Sequence, residues 1–476
     1  MPFNFIIIFL FLTSCSSTTS ISDKPKLPKI ISKESALEDL DYLERELQRR
    51  WSYVDLNNVN LSKLIDLAQE EVSTSKADLI SEKEFSIIVQ KLISKFSDGH
   101  ANVSGWKRKI DKGYLPFFIE YSKEGYLAIK TNREVFNEEF PFITRIDGKS
   151  IEYWRNIAGA LVSKGSRNLR LGRTIRLLRY IQFLRNEAGL PKIDSVKITL
   201  KGKNGERKFS YPIAQDRHYY GEWPQKKSHI IDRNKSRIGY LRISGMSGKQ
   251  KKIDKIENHL KNYLSTDGLI IDVRGNSGGS RDILRRIMPY FLKDGESVVV
   301  NVAAFKKDER VKAGDLKDRF LYTANDPSWS AGEQKEILRV AKNFNPEWKI
   351  SNKEFSEWHF MVITGNVKYY DKPIIVLTDK NCFSATDIFL GALKKLRNVK
   401  LIGESSSGGS ARSRRFNLPN SNLRIKAATM ASFQTNGKLY DGNGIAPHIS
   451  LTPEAGFFIG ISDKTLEAAV MEILKN

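Results

Sequence analysis

Residues 268–273 read Gly268-Leu269-Ile270-Ile271-Asp272-Val273, and Arg274-Gly275-Asn276-Ser277-Gly278-Gly279 follows directly. A continuous apolar run bounded by glycines is the pattern of a strand buried on both faces. Outward from it, SVVVNVAAF (297–305), FMVIT (360–364), PIIVLT (373–378) and VKLIG (399–403) read the same way. Helical stretches at 252–263, 281–292 and 387–396 separate them. Apolar strands alternating with helices predict an α/β layer with a mostly parallel sheet from about residue 237. Glycines at a strand-to-helix turn leave amide N–H groups open to an anion or an oxyanion. For a bare glycine pair, an ordinary tight turn is the plainer reading.

Asn381-Cys382-Phe383-Ser384-Ala385-Thr386-Asp387 lies between PIIVLT and the helix that follows it. Ser384 thus falls at a helix N-terminus, where the dipole favours developing negative charge. A nucleophilic serine gains from that placement, and the Ala385 N–H can meet an oxyanion. A plain N-cap serine is the commoner meaning of such a residue. Ser97-Asp98-Gly99-His100 closes a helical stretch, with Gly99 as a helix stop and His100 opening a loop. The chain has six histidines (100, 218, 229, 259, 359 and 448), none at metal-ligand spacing with another. No metal site is therefore expected. No phosphate-binding loop pattern is present, which disfavours a nucleotide hydrolase.

Taken together and in order, GLIIDVRGNSGG, FSATD, Ile402-Gly403-Glu404 and Gly444-Ile445-Ala446-Pro447 resemble the S41 serine peptidases, the carboxyl-terminal processing and tricorn-core group. The resemblance is close over about residues 237–455. It implies a crotonase/ClpP-like α/β core with a PDZ-like β-rich insert and an N-terminal helical cap. It also implies Ser384 as nucleophile, with the Ala385 amide and the Gly278-Gly279 turn as oxyanion hole. One branch of the family takes its base from a lysine in a G-K-G loop. Here that loop reads Gly408-Gly409-Ser410, so glycine stands at the lysine position. The other branch uses a histidine, and Asp98-Gly99-His100 matches its motif. Neutral imidazole is a suitable base near pH 7. Gly99 replaces the serine of the tricorn form. Asp441 occupies the place of the acid that orients the histidine, and Glu404 is the other candidate. Ser277, in a sequence that mimics the trypsin-like nucleophile, is rejected because that fold is all-β. No organic cofactor is implied.

The 476 residues carry a formal net charge of +23 and only two cysteines. The cysteine count excludes a disulfide scaffold and a cysteine-rich zinc module. The charge admits nucleic acid, an anionic surface or an acidic polymer as neighbour. FIIIFLFL at 5–12 is too short to span a bilayer and suits a signal-peptide core. Leu12-Thr13-Ser14-Cys15 resembles a bacterial lipobox, which implies lipidation of Cys15, although MPFN contains no Lys or Arg. The expected divisions are a signal peptide at 1–14, a tether at 15–31, a helical domain at 32–112, a PDZ-like domain at 113–215 and the peptidase core at 216–476. Ser35 and Glu38 have capping-box spacing on the helix whose apolar stripe is Leu37, Leu40, Leu43, Leu47 and Trp51, and Ser81 and Glu84 repeat that spacing.

The PDZ-like insert implies capture of an extended peptide by its C-terminus, with Gly113-Tyr114-Leu115-Pro116 as a carboxylate loop. Between Ile157 and Asn186 stand Lys164, Arg167, Arg170, Arg173, Arg176, Arg179 and Arg185, with no acid among them. A solvated helix explains them, as does an acidic substrate or an anionic lipid surface. The combined expectation is a lipid-anchored serine endopeptidase of a bacterial envelope, in the outer membrane facing the periplasm or at the cell surface. It acts on peptide or protein through an acyl-enzyme and does not bind nucleic acid. The alternative is a non-catalytic peptide-binding lipoprotein that retains the fold. Oligomeric state is left open.

Overall fold

A computed structural model describes residues 30–475 except 57–58, 75–76, 308–312 and 366. The expected signal peptide, Cys15 and nearly all of the tether lie outside the described residues. Among the described residues, no helix is long and apolar enough to cross a membrane.

The described chain opens with the helices Lys33–Arg50, Leu61–Ser73 and Glu82–Ile93. Ser81 and Glu84 form the expected capping box. In the first helix the cap is Ser32 rather than Ser35: the helix starts at Lys33, and the Ser32 side chain accepts from the Ser35 N–H. Of the expected stripe, Leu40, Leu43, Leu47 and Trp51 are fully buried and Leu37 is half-buried. The third helix ends at Ile93, so Gly99 does not stop it. Gly99 has a different reason for being glycine. A Cβ there would stand 2.8 Å from Phe383 Cε2 and 3.0 Å from Leu169 Cδ1.

Next comes an antiparallel sheet in the order Phe118–Ser122, Gly125–Ile129, Phe142–Ile146, Ser195–Gly202, Gly205–Pro212. The helices Ile151–Gly159, Arg167–Leu178 and Ile181–Glu187 are inserted between its third and fourth strands. The segment Gly113–Pro116 does not form an open nest of amides. Tyr114 N–H donates to Ala214 O and Leu115 N–H to Arg179 O.

The core sheet has the order His229–Arg233, Ser236–Arg242, Gly268–Asp272, Ile374–Thr378, Val399–Gly403, Ile449–Ser450. Its first pair is antiparallel and the others are parallel. Every residue of Gly268–Asp272 and Ile374–Thr378 is buried, which accounts for their unbroken apolar pattern. The helix Lys464–Leu474 covers one face through Leu466, Ala469 and Ile473. Ser297–Phe305 and His359–Thr364, read above with the parallel layer, instead belong to a separate antiparallel sheet with Tyr322–Thr323 and Met430–Phe433. Both faces of Ser297–Phe305 are covered along most of its length, so its pattern matches that of a parallel strand.

A small three-stranded sheet joins the N-terminal helices to the core. Asn102–Val103 pairs antiparallel with Arg424–Ala428, which pairs in turn with Ser413–Asn417. Ser52 N–H donates to Ala428 O at 2.8 Å. His100, two residues before this strand, is thereby fixed against a core that lies hundreds of residues further along the chain.

Candidate active site

Ser384 sits at the turn between Ile374–Thr378 and the helix Ala385–Leu393, with φ 62° and ψ −119°. A non-glycine residue in that region costs of order 1–3 kcal/mol and persists only where its surroundings enforce it. Ser384 occupies the N-cap position, yet its side chain makes no capping bond. Its Oγ lies 3.1 Å from His100 Nε2 instead. The structure thus brings together two residues 284 positions apart in sequence.

The loop Gly275–Gly279 supports the serine turn from beneath. Phe383 N–H donates to Asn276 O, and Thr386 Oγ1 donates to Asn276 Oδ1 at 2.8 Å. Gly278 has φ +96°, and a Cβ there would lie 2.7 Å from Ser384 Cβ. Only glycine allows this approach. The three proposed oxyanion donors differ. Gly278 N–H already donates to Asn276 Oδ1 at 3.0 Å, so Gly278 contributes shape rather than a free donor. Gly279 and Ala385 line a cavity of ≈ 310 Å³ together with Ser384 and His100. Met246 N–H pairs with Gly278 O and Ser280 N–H with Met246 O, a pattern that leaves Gly279 N–H outside the bridge. Ser277 is exposed on the same loop.

Asp98 and Asp441 flank His100. Asp98 takes its own loop's amides, His100 N–H at 2.7 Å and Ala101 N–H at 3.1 Å, on Oδ1. Its Oδ2 accepts from Trp51 Nε1 at 2.7 Å and Ala428 N–H at 2.9 Å. Asp441 accepts from Gly99 N–H, Ser410 N–H and the Tyr53 hydroxyl. One side-chain nitrogen or oxygen from each of Asp98, His100 and Asp441 lies within 4.8 Å of the others. Their carboxylate oxygens are committed to N–H and O–H donors, and Arg173 and Lys426 are close enough to act on the group. That donor set orders a loop and disfavours a cation ligand. His100 Nδ1 is buried and has no hydrogen-bond partner. Glu404, the other candidate to orient His100, is engaged elsewhere: Lys380 Nζ lies 3.1 Å from its Oε2 in a buried ion pair.

Burial pushes the His100 pKa well below its usual 6.5, and the positive charges of Lys426, Arg173 and Arg319 add to the effect. The imidazole is therefore neutral at pH 7. Burial also pushes the Asp441 carboxyl up to about 7, with the charge of Asp98 as the next cause.

Phe383 explains both departures from the family pattern. Its ring packs against His100 with centroids 4.5 Å apart and planes tilted by 30°, and Arg173 lies over it at 5.1 Å. The ring fills the space that a side chain at Gly99 would need. It fills the space at Gly409 too, where a Cβ would stand 2.8 Å from Phe383 Cζ and closer still to Cε2. A lysine at 409 has no room while Phe383 occupies this place. The motifs that carry Ser384 and His100 were visible in sequence. Phe383, Asn276, Trp51 and Tyr53 were not singled out, because each acts through a contact that only the fold creates.

The α/β core thus sets the hydroxyl of Ser384 against the buried imidazole of His100. Over this core, residues 237–451 match the model of peptidase family S41. Among solved structures it is similar to mature CPAF, with TM-score 0.69 and 17% identity, covering 93% of this chain and 98% of that one. Mature CPAF complexed with lactacystin gives TM-score 0.68 at 17% identity, covering 93% and 99%. A curated protein of Chlamydia pneumoniae is 25% identical over 252 residues, 46% of this chain and 40% of that protein. The match thus spans two fifths of the length of that relative. The structural likeness at this identity is a likeness of fold.

Proposed function

We propose that the protein is a serine endopeptidase in which Ser384 forms an acyl-enzyme and His100 is the base. The observation that carries this reading is the 3.1 Å approach of His100 Nε2 to an uncapped Ser384 hydroxyl on a strained turn. Ser384 Oγ attacks the peptide carbonyl and gives its proton to His100 Nε2. The oxyanion is held by the N–H groups of Ala385 and Gly279. The imidazolium returns the proton to the leaving amine, and water then repeats the sequence on the ester. Asp441 supports the imidazolium at Nδ1, through one water or after a small shift, and Asp98 holds the loop. Packing against Phe383 accounts for the glycines at 99 and 409, so neither argues for a non-catalytic peptide binder.

In this reading the antiparallel insert is PDZ-like, the core is crotonase-like, and the substrate is a peptide or protein of the cell envelope. Lipidation of Cys15 places the enzyme there, and its lipobox-like sequence supports that placement. Incubation of purified protein with an unfolded polypeptide is the test of the activity. Fragments should appear with the native chain and vanish with Ser384→Ala. Equal cleavage by both would overturn the reading.

A further inference from the structure

Two cavities meet at His100. The one holding Ser384, of ≈ 310 Å³, is also lined by Arg281, Arg319, Arg415 and Lys426, with Asp318 its single acid. The other, of ≈ 510 Å³, is lined by Lys107, Arg108, Arg173, Arg176, Arg217 and again Lys426, with no acid. Lys426 is common to both and sits on the strand that fixes the His100 loop.

The buried carboxylates of Asp98 and Asp441 act on Arg173, and Asp98 acts on Lys426, but neither closes an ion pair with these cations. Among the described residues, no ion pair involves Lys107, Arg173, Arg176, Arg217 or Lys426. They rest on neutral groups: Arg173 on the Phe383 ring, Arg176 on Asn381 Oδ1 at 2.9 Å, Arg217 on the Tyr180 hydroxyl at 3.2 Å. This is not the habit of the whole basic stretch, because Arg185 is paired with Asp147. The result is mutual repulsion. The Lys107 residue is exposed, yet desolvation by the surrounding walls and then the charges of Arg173, Arg176 and Arg217 bring its ammonium down to about 8.

Like charges lining a concave, poorly solvated cleft focus a positive potential and raise the local concentration of anions. Guanidinium groups match a carboxylate bidentately. Resting on the peptidase reading above, we propose that the cleft selects peptide segments by their carboxylates, and that acidic side chains near the scissile bond supply them. Lys107, Arg173, Arg217 and Lys426 are the specificity-determining groups. A free C-terminus offers one carboxylate and cannot fill two cavities, which favours side chains as the source. An anionic lipid surface fits less well, because these cations face cavities beside the serine.

The test uses matched synthetic peptides around one cleaved segment, with Asp/Glu or Asn/Gln at flanking positions, each as free acid and as C-terminal amide. A charge-assisted hydrogen bond is worth ~1.5–3 kcal/mol, so kcat/KM should favour the acidic peptides by about tenfold or more. The advantage should shrink at about 0.5 M salt. Lys107→Met and Arg217→Gln should each reduce the ratio of the acidic to the neutral rate. Equal rates on acidic and neutral peptides would overturn the proposal. So would sensitivity to amidation alone, or an advantage that both variants retain. A serine-reactive probe run in parallel separates the two levels. Ser384 labelling without acidic preference sinks only this inference, whereas neither labelling nor cleavage sinks the peptidase reading itself.

Discussion

Gly409→Ala is the most informative small change available, because two opposing effects can be weighed. Gly409 is not among the residues with positive φ, so its backbone tolerates alanine. On that ground alone the substitution would stabilise by ~0.4–1 kcal/mol through the unfolded chain. Against this, the new Cβ would stand 2.8 Å from Phe383 Cζ, closer to Cε2, and 3.3 Å from Asp441 Oδ1. The ring cannot simply yield, since His100 and Arg173 pack on it and Gly99 and Gly278 back onto its residue. Overpacking of this kind costs ~1–3 kcal/mol and outweighs the entropic gain. The ring must press toward His100, and a displacement of about 1 Å there can lower the rate by about 10²-fold. Thermal unfolding and kcat/KM are measured on Gly409→Ala, Phe383→Leu and the double variant. Leucine lacks the clashing Cζ and Cε2 atoms, so the double variant should be more stable than the sum of the singles, with a coupling of ~0.5–3 kcal/mol. A Gly409→Ala protein with native stability and activity, or a cycle without coupling, would refute the packing argument.

The remaining expectations concern the charged groups. Burial pushes the Asp441 carboxyl up to about 7, and in the proposed mechanism its charged form stabilises the imidazolium, so kcat/KM should rise as pH rises through about 7. Asp441→Asn should lower the rate and remove that limb, while a limb unchanged in the variant would assign it elsewhere. The same raised pKa makes the folded state hold a proton that the unfolded chain releases, so stability should fall as pH rises from 3.8 to about 7. Glu404→Gln should leave the pH profile intact yet destabilise by ~3–5 kcal/mol, because it strands the buried Lys380 ammonium. Calorimetry with a rate profile distinguishes the two acids. Asp98→Asn should destabilise by a similar ~3–5 kcal/mol, since one amide oxygen cannot serve the N–H donors of Trp51, His100, Ala101 and Ala428.

Much of this site was legible in the sequence, for a physical reason. Strand ends, glycine turns and helix starts are local, and chemistry built on them leaves local motifs, as at Gly275–Gly279 and Ser384–Asp387. The contacts that complete the site are not local. Asp98 and Ala428, Tyr53 and Asp441, and Gly409 and Phe383 are brought together by the fold. A glycine read from sequence as a helix stop, Gly99, proved to be a clearance for an aromatic ring. Apolar periodicity likewise could not assign Ser297–Phe305 to its antiparallel sheet, because burial on both faces erases alternation. The basic residues at 173 and 176 read equally well as solvated, and only the cavity wall gives them a setting.

The central claim is that His100 activates Ser384 as a nucleophile. Intact-protein mass spectrometry after exposure to a fluorophosphonate tests it most directly, with peptide mapping to locate the adduct. The account predicts one adduct, on Ser384, absent in Ser384→Ala and formed at least about 10³-fold more slowly in His100→Ala. Labelling of a different serine, or labelling of Ser384 at the same rate without His100, would contradict it.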